Sequence, residues 1–410
     1  MDRTQFWVRV GTAIVAMALA VALAASAVAG RFPLWLRSAP GPAGGSSAPS
    51  PGHSGSASAS PSPSKPTGPA LPKLSLQQMA GQRVIYSYGG LRPPAELLRL
   101  ISHGDAAGVI FFSQNVSSRA QLTSVVAELE KADASPENPV RTPLLLMTDQ
   151  EGGQIRRVPG APLLSELQIG QAPNPPAAAT NAGASAGQNL PGIGINVNLA
   201  PVLDVYRQPG DFDDQFQRSF SMNPAVVGEL GADFITAQQR AGVAATAKHF
   251  PGLGAAAQPQ DTDKVPVTLK LPLATIRDTD ELPYKAAIAA GVRLVMVSWA
   301  VYPALDPGRP AGLSATIVNG ELRQRLKFTG VTITDALEAG ALRAYGPFQN
   351  RALLAAEAGM DLILCSVQSV GEGKQATVGL EDGYRDGKLG KQAFATALQR
   401  VLALRDGLPG

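Results

Sequence analysis

Eight short apolar runs rich in Val, Ile and Leu, separated by stretches that mostly read as helix, predict a (β/α)8 barrel. The runs are continuous rather than alternating, which indicates strands covered on both faces, and strand-then-helix order implies parallel pairing. Eight such units in roughly 340 residues suit a barrel, for which about 250 residues plus insertions is usual. An open doubly wound sheet is the alternative, but no Gly-x-Gly-x-x-Gly follows the first run.

The chain of 410 residues is 45% hydrophobic and 16% charged, which allows one large core with accessory segments and is short for several domains. Residues 1–72 carry five Lys or Arg against the single Asp2, so the total of +3 leaves the remaining residues at −1. Nothing in that balance asks for a nucleic-acid partner.

Taken in order, residues 1–31 contain an uncharged stretch at 10–30, flanked by Arg3, Arg9 and Arg31 and ending in Ala27, Val28 and Ala29. Such a stretch is a signal peptide or an N-terminal membrane anchor. As a helix it would span roughly 30 Å, enough to cross a bilayer and longer than the ~7–15 residues of a signal-peptide core, so its length favours the anchor. Residues 32–72 follow as a linker, and from 38 onward it is almost wholly Pro, Gly, Ser, Ala and Thr, a composition that cannot bury enough apolar surface to order itself. The two segments together place the rest of the chain outside the cytoplasm, secreted or held at the cell envelope. The one cysteine, Cys365, lies in an apolar run and reads as a core residue with no disulfide partner.

The folded domain is expected over 73–410, opened by Ser75 and Gln78 in capping-box spacing. The strand-like runs fall at 83–86, 108–112, 144–148, 195–199, 244–249, 294–298, 331–334 and 361–365. A barrel carries its active site at the C-terminal mouth of its strands, and Asp149, Glu151, Asp204, Lys248, His249 and Asp335 all stand at or just past such ends.

Each of these admits a plainer reading. Asp149 or Glu151 could form a local salt bridge with Arg156 or Arg157, although carboxylates and guanidinium groups around two glycines also suit the gripping of sugar hydroxyls. Asp335 directly follows an apolar strand, the natural place for a nucleophile, or it caps a helix beginning near Ala336. His249 alone would pass for a core histidine. Lys248 beside it argues otherwise, because a buried Lys is costly unless it meets an anion or a ligand oxygen. His53, His103 and His249 are the only histidines, none is at zinc-ligand spacing with Cys or acids, and no phosphate-loop or nucleophile-elbow signature is present. Metal and phosphate chemistry are not expected.

Asp-Gln-Glu-Gly-Gly at 149–153, Arg-Ser-Phe at 218–220, Lys-His-Phe-Pro-Gly-Leu-Gly at 248–254 and Thr-Asp-Ala-Leu at 334–337 together resemble glycoside hydrolase family 3, in particular its single-domain bacterial β-N-acetylglucosaminidases. The resemblance covers about 74–405. It implies a TIM barrel and a retaining mechanism with Asp335 as nucleophile, and no metal or organic cofactor. It also implies that Asp149, Arg157, Arg218, Lys248 and His249 hold the terminal sugar, and that the substrate is a glycan ending in β-linked N-acetylglucosamine, such as a cell-wall fragment or glycoconjugate. The acid/base in this group is a histidine within an Asp-x-His segment of the following loop. Here that segment reads Asp261, Thr262, Asp263, and Leu253 replaces a second histidine common there. Three outcomes stay open: Asp261 or Asp263 serves directly, Glu338 or another acid at the mouth takes over, or the chain binds sugar without efficient turnover. A β-glucosidase or xylosidase of the same broad family is a further alternative.

Overall fold

The computed structural model describes residues 73–409, so the apolar stretch at 10–30 and the linker at 32–72 lie outside the described residues. Ser75 forms the expected capping box: its Oγ accepts the Gln78 N–H at 3.1 Å and its own N–H donates to Gln78 Oε1 at 2.9 Å, capping the helix Leu76–Gly81.

Eight strands make the barrel: β1 (Val84–Tyr86), β2 (Gly108–Phe111), β3 (Leu145–Thr148), β4 (Val197–Asn198), β5 (Ala244–Phe250), β6 (Leu294–Val297), β7 (Val331–Thr334) and β8 (Ile363–Leu364). They pair in parallel in the order β7-β6-β5-β4-β3-β2-β1-β8. A parallel bridge between Ile333 and Leu362, with the Leu362 N–H donating to Thr332 O at 2.9 Å, brings β7 against β8 and closes the ring. The barrel expected from the sequence is the barrel found.

Two of the expected runs form shorter strands than their apolar lengths suggest, and side chains explain why. Around β4, Asn196 and Asn198 take over ladder positions: each Oδ1 accepts a backbone N–H of the β3 segment, from Leu146 and Gln150, and each Nδ2 donates back to Leu144 O and Gln150 O. At β8 the Asp361 carboxylate accepts the Thr332 N–H, and Thr334 Oγ1 accepts the Leu364 N–H. Amide and hydroxyl groups here satisfy backbone that a longer ladder would otherwise have paired.

Apolar residues on both faces of the strands make two cores, as continuous rather than alternating runs require. Ile85, Ile110, Met147, Val197, Leu294 and Ile333 belong to one, with Val401 and Leu404 of the helix Lys391–Asp406 packed into the same cluster. Val84, Val109, Leu146, Ala245 and Val295 belong to the other, together with helix residues such as Leu122, Phe234 and Leu380. Cys365 is buried there as a free thiol. The spacing of β2 and β3 depends on Gly108, where a Cβ would stand 2.1 Å from Leu145 O. Among the described residues no helix is long and apolar enough to cross a membrane.

Candidate active site

A cavity of about 440 Å³ opens at the C-terminal ends of the strands. Ile110, Leu199, Met296 and Leu364 give it an apolar surface, and Asp149, Glu151, Arg157, Arg218, Lys248, His249, Asp261, Asp263, Asp335 and Glu338 supply its polar lining. Of the residues the sequence placed at the mouth, all but Asp204 thus line one cavity. A larger hollow of about 790 Å³ lies at the opposite end, near Leu144 and Ile195, just before β3 and β4 begin. The cluster of convergent acids and bases is at the mouth, where barrel chemistry belongs.

Charge pairing begins at the end of β5. Lys248, 2% exposed, sets its Nζ 2.8 Å from Asp149 Oδ1 and 2.7 Å from Glu151 Oε1. Glu151 also receives Arg218 as a fork, Nε to Oε2 and Nη2 to Oε1, both at 2.9 Å. Burial alone would push the Glu151 carboxyl up, but the charges of Arg218 and Lys248 outweigh it and hold it at about 2. Asp149 and Glu151 therefore pair with residues roughly 70 to 100 positions away. The local salt bridge to Arg156 or Arg157 is not formed: Arg156 donates to the carbonyls of Gly153 and Gly160, and the Arg157 Nε is buried without a partner among the described residues. A guanidinium on the cavity wall with a free donor suits a ligand oxygen.

His249 is a hydrogen-bonded member of this set rather than a core histidine bonded to backbone. Its Nδ1 lies 2.6 Å from Asp204 Oδ2, and its Nε2 lies 3.4 Å from Arg218 Nη2. Burial and the neighbouring Arg218 lower its pKa to about 4, so the ring is neutral at physiological pH. Nδ1 then carries the hydrogen given to Asp204, and Nε2 presents a lone pair to Arg218.

Asp335 directly follows β7. Its Oδ1 accepts the N–H of Ala336 at 2.8 Å, but no helix begins there, and the next helical turn is Gly340–Tyr345. Burial, with Asp263 adding to it, raises its carboxyl above the ordinary range, while the Ala336 N–H and the Lys248 charge act the other way. Asp263 is also raised, by burial first and then by Asp261 and Glu338. Asp261 is engaged locally: Oδ2 pairs with Lys264 Nζ at 2.8 Å and Oδ1 accepts the Asp263 N–H at 3.0 Å. Glu338 accepts the Ser366 Oγ–H at 2.8 Å.

The loop carrying Asp261 and Asp263 is fastened to the segment after Asp335 through main chain. Gly340 N–H donates to Asp263 O at 2.7 Å, and Ala341 N–H to Thr262 O at 3.0 Å. A Cβ at Gly340 would stand 2.1 Å from Lys264 O, so only glycine allows the approach.

Residues 73–404 match the glycosyl hydrolase family 3 N terminal domain. The chain belongs to glycosyl hydrolase family 3. The family 3 domain is 44% identical to an uncharacterized secreted glycosyl hydrolase of Arthroderma benhamiae over 335 residues, 82% of this chain and 94% of that protein. It resembles a family 3 β-N-acetylglucosaminidase from a Paenibacillus species with a TM-score of 0.76 and 33% identity, covering 82% of this chain and 62% of that one. A β-N-acetylhexosaminidase from Beutenbergia cavernae gives a TM-score of 0.73 at 30% identity, covering 82% and 99%. The protein is a glycoside hydrolase.

Three further residues organise the hydrolase site. The sequence marks Glu151 and Asp204 as acids at strand ends but not their partners, and asking what anion a buried Lys248 and a buried His249 would meet points to both. Asp213, 1% exposed, had no signal at all, because it lies in a loop and meets Asp204 and Arg218 only through the fold. Asp204, Asp213 and His249 bring ligand-type atoms within 4.8 Å of one another. Asp204 is already bonded to His249 and Asp213 Oδ1 to the Arg218 guanidinium, whose positive charge beside the cluster disfavours a second cation.

Proposed function

We propose that this family 3 hydrolase is an exo-acting retaining enzyme that releases terminal β-linked N-acetylglucosamine from cell-wall fragments or glycoconjugates, outside the cytoplasm. The observation that carries the reading is the convergence of Asp335, Asp263 and the charged set Asp149, Arg157, Arg218, Lys248 and His249 on one cavity. Relatives named β-N-acetylglucosaminidase and β-N-acetylhexosaminidase support the sugar, and a relative named as secreted, with the apolar stretch at 10–30, supports the location.

In this reading the ionised Asp335 attacks the anomeric carbon while a protonated Asp263 gives its hydrogen to the departing glycosidic oxygen. Asp263, now a carboxylate, then takes a proton from water as that water attacks the anomeric carbon, and Asp335 leaves. Asp263 suits the proton transfer better than Asp261, because its carboxyl is raised and Asp261 is committed to Lys264 and to the loop backbone. Burial raises both carboxyls, and the active state is the one with Asp335 ionised and Asp263 protonated.

Release of p-nitrophenol by the full chain from its β-N-acetylglucosaminide, set beside the β-glucoside, tests the reading. Faster release from the N-acetylglucosaminide is the expected result. Preference for the glucoside would overturn the substrate class, and retained binding of N-acetylglucosamine with no release would mark a sugar-binding protein instead.

The main-chain fastening of the Asp263 loop gives a further expectation. Gly340→Val should displace the loop and lower kcat about 10²-fold, the scale of a misplacement near 1 Å. A fall in kcat measured on an alkyl N-acetylglucosaminide, with the melting temperature reported beside it, checks this.

A further inference from the structure

The Asp204 and Asp213 side chains are both wholly buried and meet behind the cavity wall. Asp204 already accepts three hydrogens: from His249 Nδ1 at 2.6 Å, from the His249 backbone N–H at 3.3 Å, and from the Leu253 backbone N–H. Asp213 uses one oxygen, with Oδ1 accepting from Arg218 Nη1 at 2.9 Å. Its Oδ2 is buried and finds no donor among the described residues. A buried carboxylate oxygen with no donor, facing a second carboxylate, is costly in two ways. One proton removes both costs, and it belongs on Asp213, because Asp204 is the carboxylate supplied with donors.

We infer that Asp213 is a positioning residue that carries a proton in the working enzyme, its Oδ2–H donating to Asp204 while its Oδ1 accepts from Arg218, so that Arg218 and His249 stay set to hold the sugar. This rests on the proposed sugar-binding role of those two residues. The chain around Asp213 serves the same end, since its carbonyl accepts the Arg218 N–H at 3.1 Å and turns the arginine back toward Glu151.

The groups facing Asp213 all bear on this proton. Burial and the Asp204 charge push the Asp213 carboxyl up to about 7, while the Arg218 charge acts the other way. Tyr284 and Tyr302, which also feel the Asp213 charge, are themselves raised well above their ordinary value and stay neutral. A raised carboxyl holds its proton below its pKa and loses it as pH climbs through that value. Above about pH 7 two charges would then face each other, and Arg218 would be drawn away from Glu151.

The test compares Asp213→Asn, which keeps the donor to Asp204 and the acceptor for Arg218 but cannot titrate, with Asp213→Ala, which loses both. Affinity for N-acetylglucosamine is measured by calorimetry from pH 6 to pH 9. The unsubstituted chain is expected to lose affinity above neutrality, approaching tenfold per pH unit, while Asp213→Asn gives a flat profile and Asp213→Ala binds more weakly throughout. An Asp213→Asn profile as steep as that of the unsubstituted chain would overturn the inference. The infrared carbonyl band of a protonated carboxylic acid supplies a readout that needs no sugar: a band lost in Asp213→Asn and titrating near neutrality supports the proton, and its absence from the unsubstituted chain at pH 6 overturns it. Presence of that band with no sugar bound at any pH would instead count against the proposed substrate.

Discussion

Asp335→Asn is expected to lower kcat by roughly 10⁴-fold or more, the scale on which loss of a covalent nucleophile is felt. Asparagine matches the shape of the carboxylate, and its carbonyl oxygen can still accept the Ala336 N–H, so the end of β7 should keep its geometry. What disappears is the charge that, in the proposed mechanism, bonds to the anomeric carbon. Affinity for N-acetylglucosamine, which the proposed function assigns to Lys248, Arg218 and the residues around them, should change far less. Turnover of the p-nitrophenyl glycoside and equilibrium binding of the free sugar, measured on the same preparation, separate the two effects. Turnover within tenfold of the unsubstituted enzyme would remove Asp335 from the nucleophile's role.

Asp263→Ala should cost roughly 10²- to 10⁴-fold on substrates with poor leaving groups, the range typical of general acid–base catalysis. With a p-nitrophenyl leaving group the first step needs little acid help, so the glycosyl-enzyme should form and then wait for a water that no base activates. Azide, which needs no base, should then restore turnover and yield a β-glycosyl azide. Asp261→Ala should not show that rescue, because Asp261 is read as an anchor for Lys264 and the Asp263 N–H. The pH profile supplies an independent check. The raised Asp263 carboxyl holds its proton at low pH and loses it as pH rises, so the alkaline limb of kcat/KM should flatten in Asp263→Ala. Rescue of Asp261→Ala in place of Asp263→Ala would reverse the two roles.

Apolar continuity marked all eight strands, because a strand buried on both faces leaves that signal in its own residues. It overstated β4 and β8, where Asn196, Asn198, Asp361 and Thr334 replace ladder bonds with side-chain bonds, a substitution that composition does not reveal. The candidate site was legible where a residue's own strand delivers it to the mouth, as with Asp149, Lys248, His249 and Asp335. Partners were harder: the Glu151–Arg218 fork joins residues 67 positions apart, and a local pairing with Arg156 or Arg157 was the nearer guess from sequence. Asp213 was invisible for a stronger reason. Its character comes from burial against Asp204, and burial of a loop residue is a property of the folded chain.

The bonds from Gly340 and Ala341 hold the carbonyls of residues 262 and 263, and carbonyls are common to every amino acid. Where the loop sits is consequently independent of which side chain it offers. The loop works as a socket with an exchangeable fitting, in which an imidazole or a carboxyl at position 263 would be presented from the same place. In the proposed mechanism, a different proton donor at position 263 would change the acid while leaving these main-chain bonds in place.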